Sequence, residues 1–449
     1  MSFTKEIAKQ ILSYFPYRYI NVGKEFYVWL NKFERMKTMT SEQIREAQFQ
    51  SFVNMVTYAY QETTFYQQLY DAHGFHPGQL KDFSDIRRIP LINKQMVKAC
   101  GRDIIADRHK HKRLLIGATS GSTGKSLTLY SNRAINQREW AATCFMWQDV
   151  GYRPGDGRVE LRGLFAGEEE YKMDPYHRVL RVNVSRLSHY NIEMIMKRIL
   201  ETGYEFIHGY PSSVSLFSRL VLENNLVNHY RPKAIMLASE TVYDYQIDTI
   251  RKAFPVAKLN MHYGQSEKVV TACWDVDGIG YSFNPLYGYT EIDPDTNALI
   301  GTSFINDVTP FIRYELMDVA TVTDTSIHPA DSYLLPTIRS IDGRVSEIMY
   351  RPSGDMVSSA LVAIALRGTA SVTACKLIQH QLNEIEMVVE TTRSEKELMD
   401  EIKPILKRLQ VIFTNEMSFK ITLVTHIPKE PSGKLKTVEV LIDREGVPV

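Results

Sequence analysis

Residues 234–267 read AIMLASETVYDYQIDTIRKAFPVAKLNMHYGQSE, and their pattern decides the fold. Ala234–Ala238 is a short unbroken apolar run, the signature of a strand buried on both faces. Tyr245–Ala253 has helical spacing, and Val256–His262 returns as a second strand. A strand, a short helix and another strand predict a crossover between parallel neighbours. In such sheets ligands bind at the loops that follow the C-terminal ends of the strands. The loops after Ala238 and His262 are therefore where function is expected.

The same alternation extends outward from this core. Ile192, Ile195, Met196, Ile199 and Leu200 form an apolar helical stripe. The run Glu205–His208 leads to a turn at Pro211, and Val214, Phe217, Leu220 and Val221 mark a further helix. Strand–helix texture begins near residue 113. Before it, residues 1–100 read as largely helical: 41–73 as one helix capped by Ser41, with Phe49, Phe52, Val53, Val56 and Tyr60 on one stripe. Beyond Gly343, Glu384–Glu390 and Phe419–Val424 alternate as strands. Between them, Ser394 and Glu397 have capping-box spacing for a helix to about Gln410, which Pro404 would kink. The expected class is α/β, with a large N-terminal domain over 1–343 and a small mobile α+β lid over 344–449.

Composition narrows the function. The chain has 449 residues, 44% hydrophobic and 23% charged, which is ordinary for a globular protein. Lys+Arg 53 against Asp+Glu 52 leaves +1, so there is no footprint for general nucleic-acid binding. Cys100, Cys144, Cys273 and Cys375 lie far apart, without the spacing of a zinc site or a disulfide framework, so a reducing cytoplasm is expected. No signal-peptide design is seen, and the longest apolar stretch, near Leu361–Leu366, is far short of the roughly 20 residues that span a bilayer. Residues 1–37 are aromatic and mildly basic, and read either as a helix packed on a domain or as one lying on a membrane surface.

Four segments carry residues suited to chemistry. Thr119-Ser120-Gly121-Ser122-Thr123-Gly124-Lys125 offers glycines that let backbone N–H groups wrap an anion, with hydroxyls and an ammonium as further donors. It is not a Walker A loop, because Thr119 stands where that pattern needs glycine. A polar turn between strands explains it equally well. In Tyr263-Gly264-Gln265-Ser266-Glu267 the ring can face a purine and the carboxylate can hold Mg²⁺ bound to phosphates; an exposed Glu beside a core Tyr is the plainer reading. In Arg313–Asp318 the carboxylate can accept from two ribose hydroxyls and Arg313 can reach a phosphate, while a surface ion pair is the commoner origin of such a fragment. Pro431-Ser432-Gly433-Lys434 places a lysine on a rounded loop able to swing into a cleft, or simply to be solvated.

In this order and at these separations the segments resemble the adenylate-forming ligase superfamily. The likeness is to its phenylacetate–CoA ligase-like branch, with members named capsular polysaccharide biosynthesis proteins. It spans roughly residues 50–440. Thr119–Lys125 resembles the phosphate loop, and Leu237-Ala238-Ser239-Glu240 the adenine-side loop. Tyr263–Glu267 is similar to the YGxSE motif: the Tyr stacks on adenine, Ser266 contacts the α-phosphate, and Glu267 serves Mg²⁺. Asp318 takes the position of the ribose ligand, Asp342-Gly343-Arg344 that of the hinge, and Lys434 that of the lysine that closes on the adenylation site. Tyr287-Gly288-Tyr289-Thr290-Glu291 resembles the capsular branch in particular.

What the resemblance implies is ATP-dependent activation of a carboxylic acid, followed by transfer to CoA. ATP and Mg²⁺ are the implied cofactors, and the small-molecule acid and CoA the implied partners. The acyl pocket is expected near Phe145, His208, Tyr210 and Pro211, residues that admit an aryl acid without requiring one. His208 reads as an acid–base group or as a packing residue. Two departures touch the second half-reaction: Ser346 stands where a charged pivot is common, and Tyr350–Asp355 poorly matches the glycine-rich stretch that places pantetheine. Transfer to an amine or a sugar is therefore an alternative, and a catalytically silent nucleotide-binding protein a third. Monomer and homodimer stay open.

Overall fold

The computed structural model describes residues 11–12, 14–15, 22–118, 127–161, 169–242, 244–275, 280–322, 338–344, 349–353, 356–357, 374–391, 393, 395–413, 416–428, 436–443 and 446–448. The phosphate-loop segment Thr119–Lys125, Lys434, and the side chain of Arg344 lie outside this description.

The long N-terminal helix of the sequence reading is two helices. After α1 (Lys24–Met36), α2 spans Ser41–Glu62 and α3 Thr64–Ala72. Thr63 separates them in an extended conformation. Its hydroxyl donates to the Ala59 carbonyl and accepts from the Tyr66 N–H, so one side chain closes the first helix and caps the second. Thr40, not Ser41, caps α2, in a reciprocal capping box with Gln43. Helix α1 packs by Phe26, Leu30, Phe33 and Met36 against α4 (Arg133–Trp147), so residues 24–36 form a packing helix.

A hairpin of β1 (Leu115–Ala118) and β2 (Thr128–Ser131) flanks the phosphate-loop segment. Among the described residues a 12-stranded sheet forms the body of the large unit. Its parallel part comprises β3 (Arg158–Leu161), β5 (Val179–Val182), β6 (Phe206–Gly209), β7 (Ala234–Ala238) and β8 (Lys258–Gly264), with β4 (Tyr171–Asp174) antiparallel at its edge. The antiparallel part runs through β9 (Thr271–Asp275), β10 (Tyr281–Phe283), β14 (Ile338–Arg344), β13 (Tyr314–Val322), β12 (Ala298–Ser303) and β11 (Gly288–Ile292). Ala234–Ala238 is buried throughout because helices cover both faces. Ile235 and Leu237 pack under α5 (Ile192–Thr202), α6 (Pro211–Glu223) and α7 (Asp244–Ala253), while Ala234 and Met236 face α1 and α4. Each such Ile or Leu contributes about 1.5–3 kcal/mol of transfer free energy. The antiparallel part closes over α2 and α3 through Phe52, Val56, Tyr66 and Tyr70.

A short hairpin of β15 (Met349–Tyr350) and β16 (Met356–Val357) precedes a separate four-stranded sheet. The latter comprises β17 (Ala374–Gln381), β18 (Glu384–Glu390), β19 (Ser418–Val424) and β20 (Val438–Val440). Its core is Leu377, Ile385, Met387 and Val389 against Leu398, Ile402, Ile405, Leu409 and Phe413 of α8 (Glu395–Phe413). Pro404 is accommodated inside that helix.

Candidate active site

Three loops converge at one edge of the parallel sheet because β6, β7 and β8 run in register: Gly209 pairs with Leu237, and Ala238 with His262. At Gly209 an added Cβ would meet the Leu161 carbonyl oxygen at 2.5 Å and Val214 Cγ2 at 2.7 Å, so only glycine fits. The chain then turns into α6, with Tyr210 at its cap and Pro211 at its first position. Ser239 follows β7 with φ +71°, and the Glu240 carboxylate accepts the Ser212 N–H at 3.1 Å, close to the N-terminus of α6.

The last two residues of β8 and the loop after it hold the YGQSE motif. Gln265 Oε1 accepts from the Val270 N–H, the Glu267 carbonyl accepts from Asn306 Nδ2, and Glu267 Oε1 lies 3.5 Å from the Tyr314 hydroxyl. Gly264 and Ser266 are exposed beside them. Across the loop, the Tyr263 hydroxyl donates to Asp318 Oδ2 at 2.5 Å. Two residues that the sequence places 55 positions apart, one expected on adenine and one on ribose, thus touch. Burial first, and then the Asp318 carboxylate, push the Tyr263 phenol well above its ordinary range, so it stays a donor. Asp318 sits at a register shift of β13 opposite Arg344, just after Met317 at φ +63°.

Eight non-glycine residues among those described have positive φ, and four of them, Ser239, Lys268, Arg313 and Met317, lie in or directly beside these motifs. Such conformations cost about 1–3 kcal/mol each and gather where a backbone is shaped for a site.

Arg313 is engaged inside the protein. It is 8% exposed, its Nε and Nη2 donate to both oxygens of Glu291 at 3.0 and 2.9 Å, and its Nη1 donates to the carbonyls of Ile89 and Arg87 at 2.6 and 3.4 Å. This guanidinium ties the chain entering β13 to β11 and to the segment after α3. Phe145 is held by packing. Its ring packs on Phe33 and under Lys37, on the α1 side of α4. The side of α4 turned toward Lys268 and Tyr287 carries Asn136 and Glu139, three residues apart. Lys268 Nζ donates to Asn136 Oδ1 at 3.1 Å, and the Tyr287 hydroxyl donates to Glu139 Oε2. Burial raises the Glu139 carboxyl while Lys268 opposes the shift. His208 is 5% exposed, its ring 4.8 Å from that of Trp147 and its Nδ1 3.8 Å from Glu160. Glu160 also pairs with Arg181 and Arg158; burial raises its carboxyl, but His208 and the two arginines outweigh burial and hold it far below its usual range.

This architecture, a mixed sheet with motif loops at its strand ends and a small separate α+β unit, is the fold of the adenylate-forming ligases. In the small unit, residues 349–440 match the CapK C-terminal domain. Over 400 residues the chain is 25% identical to protein CapK of Staphylococcus aureus, covering 87% of each. Its fold matches that of 2-hydroxyisobutyryl-CoA ligase in the postadenylation state with R3-HIB-AMP, with a TM-score of 0.68, 17% identity and 92% of each chain covered. The same ligase with 2-HIB-AMP and CoA, in its thioesterification state, gives 0.56 at 18% identity and 91% coverage of each chain. The chain therefore resembles both adenylate-forming CoA ligases and CapK, as its motifs implied. Among the described residues no helix is long and apolar enough to cross a membrane.

Proposed function

We propose that this protein is an AMP-forming carboxylate ligase of the phenylacetate–CoA ligase-like type. The observation that carries the reading is the bond between Tyr263, at the end of β8, and Asp318 of β13, with Glu267 of the same motif against Tyr314 at the start of β13. A carboxylate is a poor acylating agent because its leaving group would be oxide. One of its oxygens attacks the α-phosphorus of ATP, the bond to pyrophosphate breaks, and the acyl–AMP formed has a good leaving group. Two anions must be brought together and charge on the departing pyrophosphate neutralised.

Tyr263 and Asp318 hold the nucleoside, Ser239 and Glu240 border the adenine, and Ser120–Lys125 orients the β- and γ-phosphates. Ser266 contacts the α-phosphate. Glu267 would hold Mg²⁺ together with phosphate oxygens, and the ion would take phosphate charge. Lys434, on the small unit, bridges carboxylate and nucleotide. The unit over 344–449 then turns about Asp342–Arg344 to admit the acceptor. Arg313 is left out of these contacts.

CoA is the proposed acceptor: its thiolate attacks the acyl carbon and AMP leaves. Tyr350–Ser353 gives a second reading some weight, because Gln379 clamps both the N–H and the carbonyl of Tyr350 to the small sheet, in the stretch that departs from a pantetheine-binding pattern. An amine or sugar acceptor in polysaccharide synthesis would suit that departure. The test is product analysis with full-length protein, ATP, Mg²⁺ and a panel of acids. Formation of AMP and pyrophosphate, rather than ADP and phosphate, supports the reading, and dependence of turnover on CoA selects the acceptor. Formation of ADP would overturn it.

A further inference from the structure

We infer that the acid activated here carries a hydroxyl or amino substituent, which hydrogen-bonds to Glu139 on the polar face of α4. This rests on the adenylation reading, and names the substrate class of that site. The reacting carboxylate has to lie beside the loop of Glu267, and the next residue, Lys268, bonds to Asn136 of α4 at 3.1 Å. An acyl chain leaving that point along α4 meets positions 136, 139, 143 and 146, which stack on one helix face at three- and four-residue spacing. That face is polar for most of its length.

Glu139 receives the Tyr287 hydroxyl on one carboxylate oxygen. Its other oxygen accepts no hydrogen bond among the described residues. Farther along, Met146 meets Thr271 and Asn260, and Asn260, 3% exposed, keeps its Oδ1 without a partner among the described residues. An aryl or alkyl group beside Glu139 would strip water from its second oxygen and return nothing, whereas a hydroxyl or ammonium donates to it. Tyr287, the first residue of the YGYTE segment, thereby gains a role: it fixes the Glu139 carboxyl so that the second oxygen is presented to the substrate.

The test is ATP–pyrophosphate exchange by the full-length protein with matched acids: butyrate and benzoate, and the hydroxy and amino derivative of each. The best substituted acid is expected to exceed its parent by on the order of 10²-fold in kcat/KM. Glu139→Gln, which keeps shape and the bond to Tyr287, should lower the preference for an amino acid about tenfold or more and that for a hydroxy acid less. Glu139→Leu should tilt the preference toward the parent acids; if it does not fold, Tyr287→Phe, which frees the carboxyl to turn, should shrink the same ratio. Parent acids used as well as substituted ones, or a preference unmoved by the variants, would overturn the inference while leaving adenylation in place. No exchange with any acid by folded, ATP-binding protein would overturn the adenylation reading and the inference with it.

Discussion

Replacing Arg313 by alanine separates two roles that the sequence alone leaves entangled. In the structure its guanidinium makes a two-pronged pair with Glu291 and donates to two main-chain carbonyls, all within a site where the two side chains are 10% and 15% exposed. Removing one partner of such a pair leaves a buried carboxylate without its counter-charge and typically costs about 3–5 kcal/mol. For a unit of roughly 340 residues the unfolding entropy is about 0.7 kcal/mol/K, so the melting point should fall by about 4–7 °C. Arg313→Lys, which keeps the charge but not the planar fork, should lose about half of that. Urea unfolding followed by circular dichroism gives the stability, and titration calorimetry below the melting point gives ATP affinity, expected to stay within about threefold of the parent. A variant that unfolds like the parent yet binds ATP tenfold more weakly or worse would show that Arg313 is a phosphate ligand, and the structural role argued here would fall.

Two further outcomes follow from the same network reasoning. Tyr263→Phe removes the hydroxyl that occupies Asp318, so ribose no longer has to displace it; ATP affinity should rise about two- to tenfold, whereas Asp318→Ala should weaken it, and a Phe variant that loses ATP binding would contradict this. Glu160 is held below its unfolded range, so its pairing with His208, Arg158 and Arg181 stabilises the fold fully above about pH 4.3 and progressively less as the pH falls; Glu160→Gln should cost about 2 kcal/mol at pH 7, a gap that narrows toward pH 3 in unfolding curves, and a gap independent of pH would count against it.

Elements whose boundaries are set by a two-faced or alternating apolar pattern were legible residue by residue: Ala234–Ala238 and Glu384–Glu390 are strands over the stretches their patterns mark. Thr63 was not, because the helical stripe runs through it and the break depends on one hydroxyl serving two helix ends. The pairing of Tyr263 with Asp318 was legible only as two motifs, since their contact depends on the antiparallel strands between them. Arg313 and Asp318 sit five residues apart with opposite fates: the positive φ at Arg313 and Met317 sets where each side chain points, and neither residue type announces such a backbone. For α4 the sequence is apolar nearly all round its C-terminal half, so periodicity does not say which face meets α1 and which meets the strand ends. Glu291 and Tyr287 share one segment, but their partners, Arg313 and Glu139, lie 22 and 148 residues away in sequence.

The central claim is acyl-adenylate formation with Lys434 as its closing residue. Mg²⁺-dependent ATP–pyrophosphate exchange in the parent and in Lys434→Ala, each checked for ATP binding, tests it most directly. Exchange should require a carboxylic acid and should fall on substitution by about 10²-fold or more with ATP affinity retained. Exchange by Lys434→Ala at the parental rate would contradict the role of that lysine, and an ATP-binding parent that exchanges with no acid would contradict adenylation itself.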